Sequence, residues 1–439
     1  MSQPPYVLEI LQKLVRFETV NPPGNEKQCI QYIDGLLHKA GLETTIFEPQ
    51  PGRQSLMCWL KGEGMAPGLL LQGHVDVVGV QGQKWSRPPF GAELHDGFVW
   101  GRGTLDMKGS VAMMLSAFLR IHEDDVPLAG DVALLILADE EAGSPLGAKF
   151  LTDNHPDLFE GIKYGIGEFG GYTQEIGGKR FYPIMVDEKR GCGTLARLRG
   201  RAGHGSVPVR GRDSAMGALG QFLTLIDNVH TPVHITPATR LMINGITAAL
   251  EGEHKMLFEQ LLDTAKTDEI LAALGSEGEA LYPVFHNTMS PTVIRASEKG
   301  NVIPALIEVT LDCRLLPGIT QAEWFDELRS IIGPIPELEV INHTPRDVAE
   351  PDMSLWPILT GILKELDPDG VPIPMLFPGG KDGRFFSRLG IQTYGFLPTP
   401  MPAGMNALQM IHKEDERIPL RALEFGTSAI FEVLKRYGR

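Results

Sequence analysis

Residues 135–144, LILADEEAGS, set Asp139, Glu140 and Glu141 in a row directly after an apolar run. Leu134 to Leu137 reads as a strand buried on both faces, so the three acids stand where that strand ends. Carboxylates packed this closely repel, and nothing basic lies nearby in sequence to relieve them. A bound cation would do so, with one glutamate as its ligand and the adjacent one free to act as a base. An acidic surface loop is the plainer alternative.

Four more places carry similar chemistry. In LLLQGHVDVV an apolar strand runs into His74 and Asp76. At i and i+2 of an extended chain two side chains point the same way, so Asp76 can take one imidazole N–H and leave the other nitrogen for a metal. A histidine capping a strand beside a surface aspartate would look the same. Asp106 sits at the glycine-rich turn GRGTLDMKG that opens a helix, where an N-cap aspartate is common. Glu168 follows the strand-like YGIG, and His412 precedes an acidic helix start in MIHKEDERI, where a solvated histidine is the ordinary reading. Each is weak alone. Two histidines and three carboxylates at strand ends or in the loops that follow can converge on one edge of a sheet. Nitrogen and oxygen ligands without thiolate suit Zn²⁺, with Co²⁺ or Mn²⁺ as substitutes. One bridging carboxylate with a histidine and a carboxylate for each ion makes a two-metal hydrolytic site, the ions about 3.5–4 Å apart.

The elements that must position these residues follow from periodicity. Helices are expected near 6–18, from Asn25–Glu26 to about Ala40, and at 107–122 and 145–154; strands near 43–48, 55–61, 68–73 and 131–138. That alternation predicts an α/β layer with a mostly parallel sheet flanked by helices. After YPIMVDEKRG the texture changes. Strands from about 191, at 291–297, 305–313 and 337–342, with helices at 213–228 and 320–332, give the order β-α-β-β-α-β, a ferredoxin-like α+β unit. Between them, 230–290 is less regular, with a helix expected in EHKMLFEQLLDTA. From about 350 the first texture resumes. The chain therefore reads as a discontinuous catalytic domain, 1–189 and 350–439, with an inserted domain at 190–349.

A chain of 439 residues at 43% hydrophobic has ample core for two domains. Its net charge of −15, scattered along the sequence, argues against nucleic acid and against an anionic membrane as partners. No stretch approaches 18 uninterrupted apolar residues, so no spanning helix is expected. The start, MSQPPYVLEILQKLVRF, lacks the basic, apolar and small-residue parts of a secretory signal, and four widely spaced cysteines form no CxxC pair. Both fit a reducing cytoplasm. No GxSxG elbow and no GxxxxGK[ST] loop occurs.

Taken in order, TVNPPGNE, GHVDVV, WSRPPFGAELHDGFVWGRGTLDMKGSVAMML, DEEAGSPLGAKFL, RAGHGSVP, NVIPALIEVTLDCRLLPG, GGKDGRFF and IHKEDERI resemble the M20 family of metallopeptidases and amidohydrolases over nearly the whole chain. The resemblance implies two divalent metal ions, Zn²⁺ foremost. His74 would bind one ion, oriented by Asp76, and Asp106 would bridge both. Glu141 and Glu168 would serve one ion each, and His412 would complete the second set. Glu140 would be the general base that takes a proton from the water between the ions and passes it to the leaving amine. His204 in RAGHGSVP would steady the oxyanion; in dimeric relatives the matching histidine reaches a neighbouring active site. Asn301, Arg314 and Arg384 would surround the substrate and its free carboxylate, although Arg314 can equally pair with Asp312. A cis peptide after Asp106 is also implied. The implied activity is hydrolysis of an amide bond, in an N-acyl amino acid or a small peptide with a free carboxylate; the inserted domain would be a lid, hinged near 187–193 and 345–352, and a surface for a homodimer. A member that has lost catalysis and serves as a binding scaffold is the competing reading, but no position of the ligand set is missing.

Three features depart from the common pattern. Lys381 stands where threonine is frequent and is expected to add positive charge at the pocket wall. Position 168 is Glu rather than Asp, which resembles the deacylase and carboxypeptidase-like branch. The 230–290 stretch exceeds a minimal lid, which puts the usual lid–lid dimer in question.

Overall fold

The structure is a computed structural model that describes residues 6–228, 230–333, 336–343 and 350–439. Those residues divide into two compact units, one within Met1–Val186, Pro351–Met375 and Lys381–Arg439, the other within Asp187–Glu350 and Leu376–Gly380.

The first unit is organised by one large sheet. Its strands run, in spatial order, Thr44–Gln50, Arg53–Leu60, Val132–Leu137, Gly68–His74, Ile162–Gly167, Gln392–Gly395, Lys179–Glu188 and Val371–Phe377, the last two extending across the division between the units. Four neighbours in the middle, Val132–Leu137 through Gln392–Gly395, are mutually parallel, whereas Arg53–Leu60 runs antiparallel to both its neighbours and Lys179–Glu188 antiparallel to Gln392–Gly395. Val132–Leu137 is buried at every position, as a central strand covered on both faces must be. One covering layer is Lys108–Glu123, buried almost all round, packed against Tyr6–Val15 and Leu420–Arg436. The other face meets Ala148, Leu151, Phe159, Phe385 and Phe386. Trimming Leu135 to alanine in such a site costs about 2–5 kcal/mol. The expected elements appear within a few residues of their expected ends; Tyr6–Val15, for example, buries Val7, Ile10, Leu11, Leu14 and Val15 at the spacing of one helix face.

The second unit holds a four-stranded antiparallel sheet in the spatial order Thr288–Arg295, Leu306–Leu315, Arg190–Arg199, Glu337–His343. Two helices, Ala215–Asp227 and Gln321–Ile332, pack on it around Phe222, Trp324 and Leu328. This is the expected β-α-β-β-α-β unit. The 230–290 stretch is more regular than expected. It forms the helices Pro237–Ala249, Gly252–Gln260, Thr267–Ala273 and Ser276–Leu281, the second of them overlapping the first part of the helix expected in EHKMLFEQLLDTA. Part of the anticipated hinge near 345–352 lies outside the described residues. All four cysteines are free and buried, and no helix among the described residues is long and apolar enough to cross a membrane.

Candidate active site

Parallel strands put their carboxyl ends on one edge, and three adjacent strands here end in candidate residues. Gly68–His74 ends in His74; Val132–Leu137 leads to Glu140 and Glu141; Ile162–Gly167 leads to Glu168. Asp106 comes from the loop before the helix Lys108–Glu123, and His412 from the turn before Arg417–Pro419. The helix N-cap is Met107, so the capping role considered for Asp106 does not apply. A cis peptide joins Asp106 to Met107. Gly109 lets that loop curl beneath the helix, because a Cβ there would meet the Thr104 carbonyl oxygen at 2.1 Å.

The five side chains form two groups that share Asp106. His74 Nε2 lies 3.3 Å from Asp106 Oδ1 and 3.3 Å from Glu168 Oε2. His412 Nε2 lies 3.1 Å from Asp106 Oδ2 and 3.3 Å from Glu141 Oε2. Each oxygen of Asp106 therefore faces one imidazole. Donors at 2.0–2.1 Å from one tetrahedral ion stand about 3.3 Å apart, so both groups have the spacing of a ligand set. His74 Nε2, Glu141 Oε1 and both oxygens of Glu168 are buried without a hydrogen-bond partner. Buried polar atoms rarely go unmatched, and a divalent cation is what this donor set fits.

Charges in the site act on one another in the way such a cluster requires. Burial opposes it, yet the two imidazoles hold the Asp106 carboxyl well below the usual range. Asp106 and then Glu141 lift the His412 imidazole to about 10. Burial, followed by the negative charge of Glu168, pushes the partly exposed Glu140 well above an ordinary glutamate.

Asp76 is more central than the HxD spacing implies. His74 Nδ1 faces the Asp76 backbone carbonyl at 3.0 Å, which puts the proton on Nδ1 and leaves Nε2 as the ligand atom. The Asp76 carboxylate, 3.4 Å from that nitrogen, accepts the backbone N–H groups of Glu140 and Glu141 at 3.1 and 3.0 Å and Asn21 Nδ2 at 2.8 Å. It thus braces the backbone of Glu140 and Glu141 together. Asp139 leaves the acidic triplet altogether. Arg53 donates to it at 2.6 Å, Asn21 at 3.0 Å and the Leu146 N–H at 2.9 Å, while Arg53 also grips Glu26. One of the three acids therefore finds a protein cation, from a strand 86 residues earlier.

The remaining candidates are spread out. Arg384 donates weakly to the Gly143 carbonyl at 3.3 Å and lies over the Phe385 ring. In the second unit, pairing of Gly203–His204 with Val302–Ile303 brings His204 beside Asn301, whose carbonyl accepts the Gly205 N–H at 2.8 Å. His204 is exposed, its Nδ1 2.8 Å from Ser206 Oγ. Arg314 sits on another strand in a two-pronged pair with Asp312, at 2.9 and 3.1 Å. Lys381 lies deeper than the glycine-rich motif indicates. It is fully buried, and its ammonium donates to the Glu168 backbone carbonyl. Its charge acts on the Glu168 carboxyl from inside the fold. Asn21, Glu26, Arg53 and Glu416 take part without having been singled out. Their only sequence signal was membership in TVNPPGNE and IHKEDERI, or, for Arg53, none.

Comparison with known proteins gives a consistent picture. The model of peptidase family M20/M25/M40 matches residues 70–436. A probable carboxypeptidase S-like 2 of Dictyostelium discoideum is 26% identical, covering 82% of this chain and 69% of its own. The N-fatty-acyl-amino acid synthase/hydrolase PM20D1 of Homo sapiens is 24% identical over 85% and 75%. Among solved structures, the M20 family metallo-carboxypeptidase Sso-CP2 of Sulfolobus solfataricus superposes with a TM-score of 0.72 at 17% identity, covering all of both chains. The Bacillus subtilis YXEP protein, described as a dinuclear metal binding peptidase, scores 0.60 at 13% identity, covering 98% of this chain and 96% of that one.

Proposed function

The chain belongs to peptidase family M20/M25/M40, and we propose that it is a two-metal hydrolase of amide bonds that acts on N-acyl amino acids or small peptides bearing a free carboxylate. The observation that carries this reading is the Asp106 carboxylate, each oxygen turned to a different imidazole and each pair joined by a buried or half-buried glutamate. His74, Asp106 and Glu168 would hold one ion and Asp106, Glu141 and His412 the other. When bound, such ions polarise a carbonyl and lower the pKa of a water from 15.7 to about 7.

The protein's own part is proton handling and placement. Glu140 takes a proton from the attacking water and returns it to the leaving amine; a carboxyl lifted well above the ordinary glutamate range by burial and by Glu168 is matched to both halves of that task. Asp76, bound to two consecutive N–H groups, holds Glu140 and Glu141 at constant separation. His204 and Asn301, adjacent on one hairpin-like pairing, would steady the oxyanion and the substrate, and Arg314 and Arg384 would receive the carboxylate, to which a planar guanidinium is matched. The inserted 190–349 segment would act as the lid and, in a homodimer, as the contact surface. Substrate class is supported by the relatives: one is named for a carboxypeptidase, another for N-fatty-acyl-amino acids.

The test is a panel of N-acyl amino acids and dipeptides, each beside its carboxyl-amidated counterpart, assayed with Zn²⁺, Co²⁺ and Mn²⁺. Turnover restricted to free carboxylates is expected. A protein that binds the ions but cleaves no member of the panel would overturn the proposal.

A further inference from the structure

Asp106 and His412 lie on separate loops, and a closed circuit of side chains ties those loops together. Glu416, buried four residues beyond His412, accepts the backbone N–H groups of Leu105 at 2.8 Å and Asp106 at 3.2 Å through Oε1. Its Oε2 accepts Arg102 Nη1 at 2.6 Å. Arg102 Nη2 donates to Gln83 Oε1 at 2.8 Å, and Trp85 Nε1 donates to the same oxygen at 3.0 Å. Gln83 Nε2 then donates to the His412 carbonyl at 2.8 Å. Ser86, three residues beyond Gln83, fastens the Gln83 loop to the His412 loop a second time, with its N–H and hydroxyl on the Asp415 carboxylate at 2.7 and 2.6 Å.

The two imidazoles need such help unequally. His74 ends a fully buried strand and its side chain is 1% exposed, so the sheet itself places it. His412 has a 48% exposed side chain on an irregular turn, with its backbone at φ 65° and that of Asp415 at φ 60°. Left-handed backbone at non-glycine residues persists only where neighbours hold it. Gln83 is bonded to the carbonyl of that strained residue, and Arg102 holds Gln83 in turn.

We propose that Gln83 and Arg102 are positioning residues that hold His412 opposite Asp106, and so set cation affinity at the Asp106–Glu141–His412 position without setting it at the His74–Asp106–Glu168 position. The inference rests on the two-cation reading above. Glu416 also touches the backbone of Asp106, which both positions share, so Gln83 is the cleaner probe.

The experiment titrates metal-stripped full-length protein with Zn²⁺ by calorimetry, and counts retained zinc after gel filtration, for wild type, Gln83→Leu and Arg102→Lys. Thermal unfolding of the metal-free proteins is followed alongside. Wild type is expected to take two ions. In Gln83→Leu one ion stays as tight as in wild type and the other weakens about 10- to 100-fold, the usual effect of removing a group that orients a metal ligand. Arg102→Lys keeps the charge on Glu416 but cannot span to Gln83, and is expected to weaken the same ion. Should Arg102→Lys unfold, Gln83→Leu still decides, because that side chain is only half-buried. Two unaltered ions, or equal weakening of both, in a folded Gln83→Leu protein would overturn the circuit's role while leaving the two-cation reading intact. Fewer than two ions in wild type would overturn that reading, and this inference with it.

Discussion

The candidate residues of the two units live in opposite surroundings. In the first, His74, Asp76, Asp106 and Glu168 are between 0 and 5% exposed, crowded together and braced by Asn21, Arg53 and Glu416. In the second, His204 and Asn301 face solvent, and Arg314 is occupied by its neighbour Asp312. Burying carboxylates without matching positive charge is costly, and this is the cost the proposed cations would offset. The second costs little to keep and suits groups that meet a substrate only when it arrives.

The contrast can be broken at its strongest point by Glu140→Gln. An isosteric amide preserves packing and leaves the five proposed ligands in place, but cannot take a proton. A fall in kcat of about 10²- to 10⁴-fold is expected, with zinc content unchanged by elemental analysis. Undiminished turnover would remove Glu140 as the base.

Arg53→Met tests whether the first unit depends on its buried charges being matched. Arg53 serves Glu26 and Asp139 together, and those side chains are 0 and 2% exposed. Leaving them uncompensated is expected to cost about 3–5 kcal/mol of stability in urea unfolding. A loss under 1 kcal/mol would mean that the pair is hydrated.

The second unit also buries charged groups, and Lys189 is fully covered among them. Lys189 is fully buried, donating to the His286 carbonyl and Thr288 Oγ1, and burial with Arg314 nearby pulls its ammonium down to about 7. Between about pH 7 and 10.5 the unfolded chain therefore holds a proton that the folded chain has released. Stability contributed through Lys189 rises with pH across that window, by up to about 1.4 kcal/mol per unit. In Lys189→Met this rise disappears, so the difference in unfolding free energy between variant and wild type should shift steadily in favour of wild type from pH 7 to pH 10. A difference independent of pH would show that Lys189 stays charged when folded.

The smallest effect is expected from Arg314→Ala. Loss of an exposed pair with Asp312 should change stability by less than about 0.5 kcal/mol. If the guanidinium receives the substrate carboxylate, KM rises for free-carboxylate substrates at constant kcat and not for amidated ones. An equal change for both would return Arg314 to a purely structural role.

Much of this was legible because strand cores and chemistry alternate along the chain. LLLQGH and ALLILADEE announce buried strands by their apolar runs, and the polar residues that follow must emerge at strand ends. The braces were hidden because their partners are remote. Asn21 and Asp139 are 118 residues apart, and Arg102 and Glu416 are 314 apart. The depth of Lys381 was hidden in the same way: its contact with the Glu168 carbonyl spans 213 residues.

Residue order alone determined which groups could ligate, which could shuttle a proton, and that sheet strands would deliver several of them to one edge, since apolar periodicity is a local property. Only the tertiary structure decided that Val132–Leu137 lies between Arg53–Leu60 and Gly68–His74, out of sequence order. That interleaving hands Arg53 to Asp139, frees Glu140 and Glu141 for the site, and sets Asp106 between two imidazoles. Such choices depend on which distant surfaces are buried together, and no short stretch of sequence contains them.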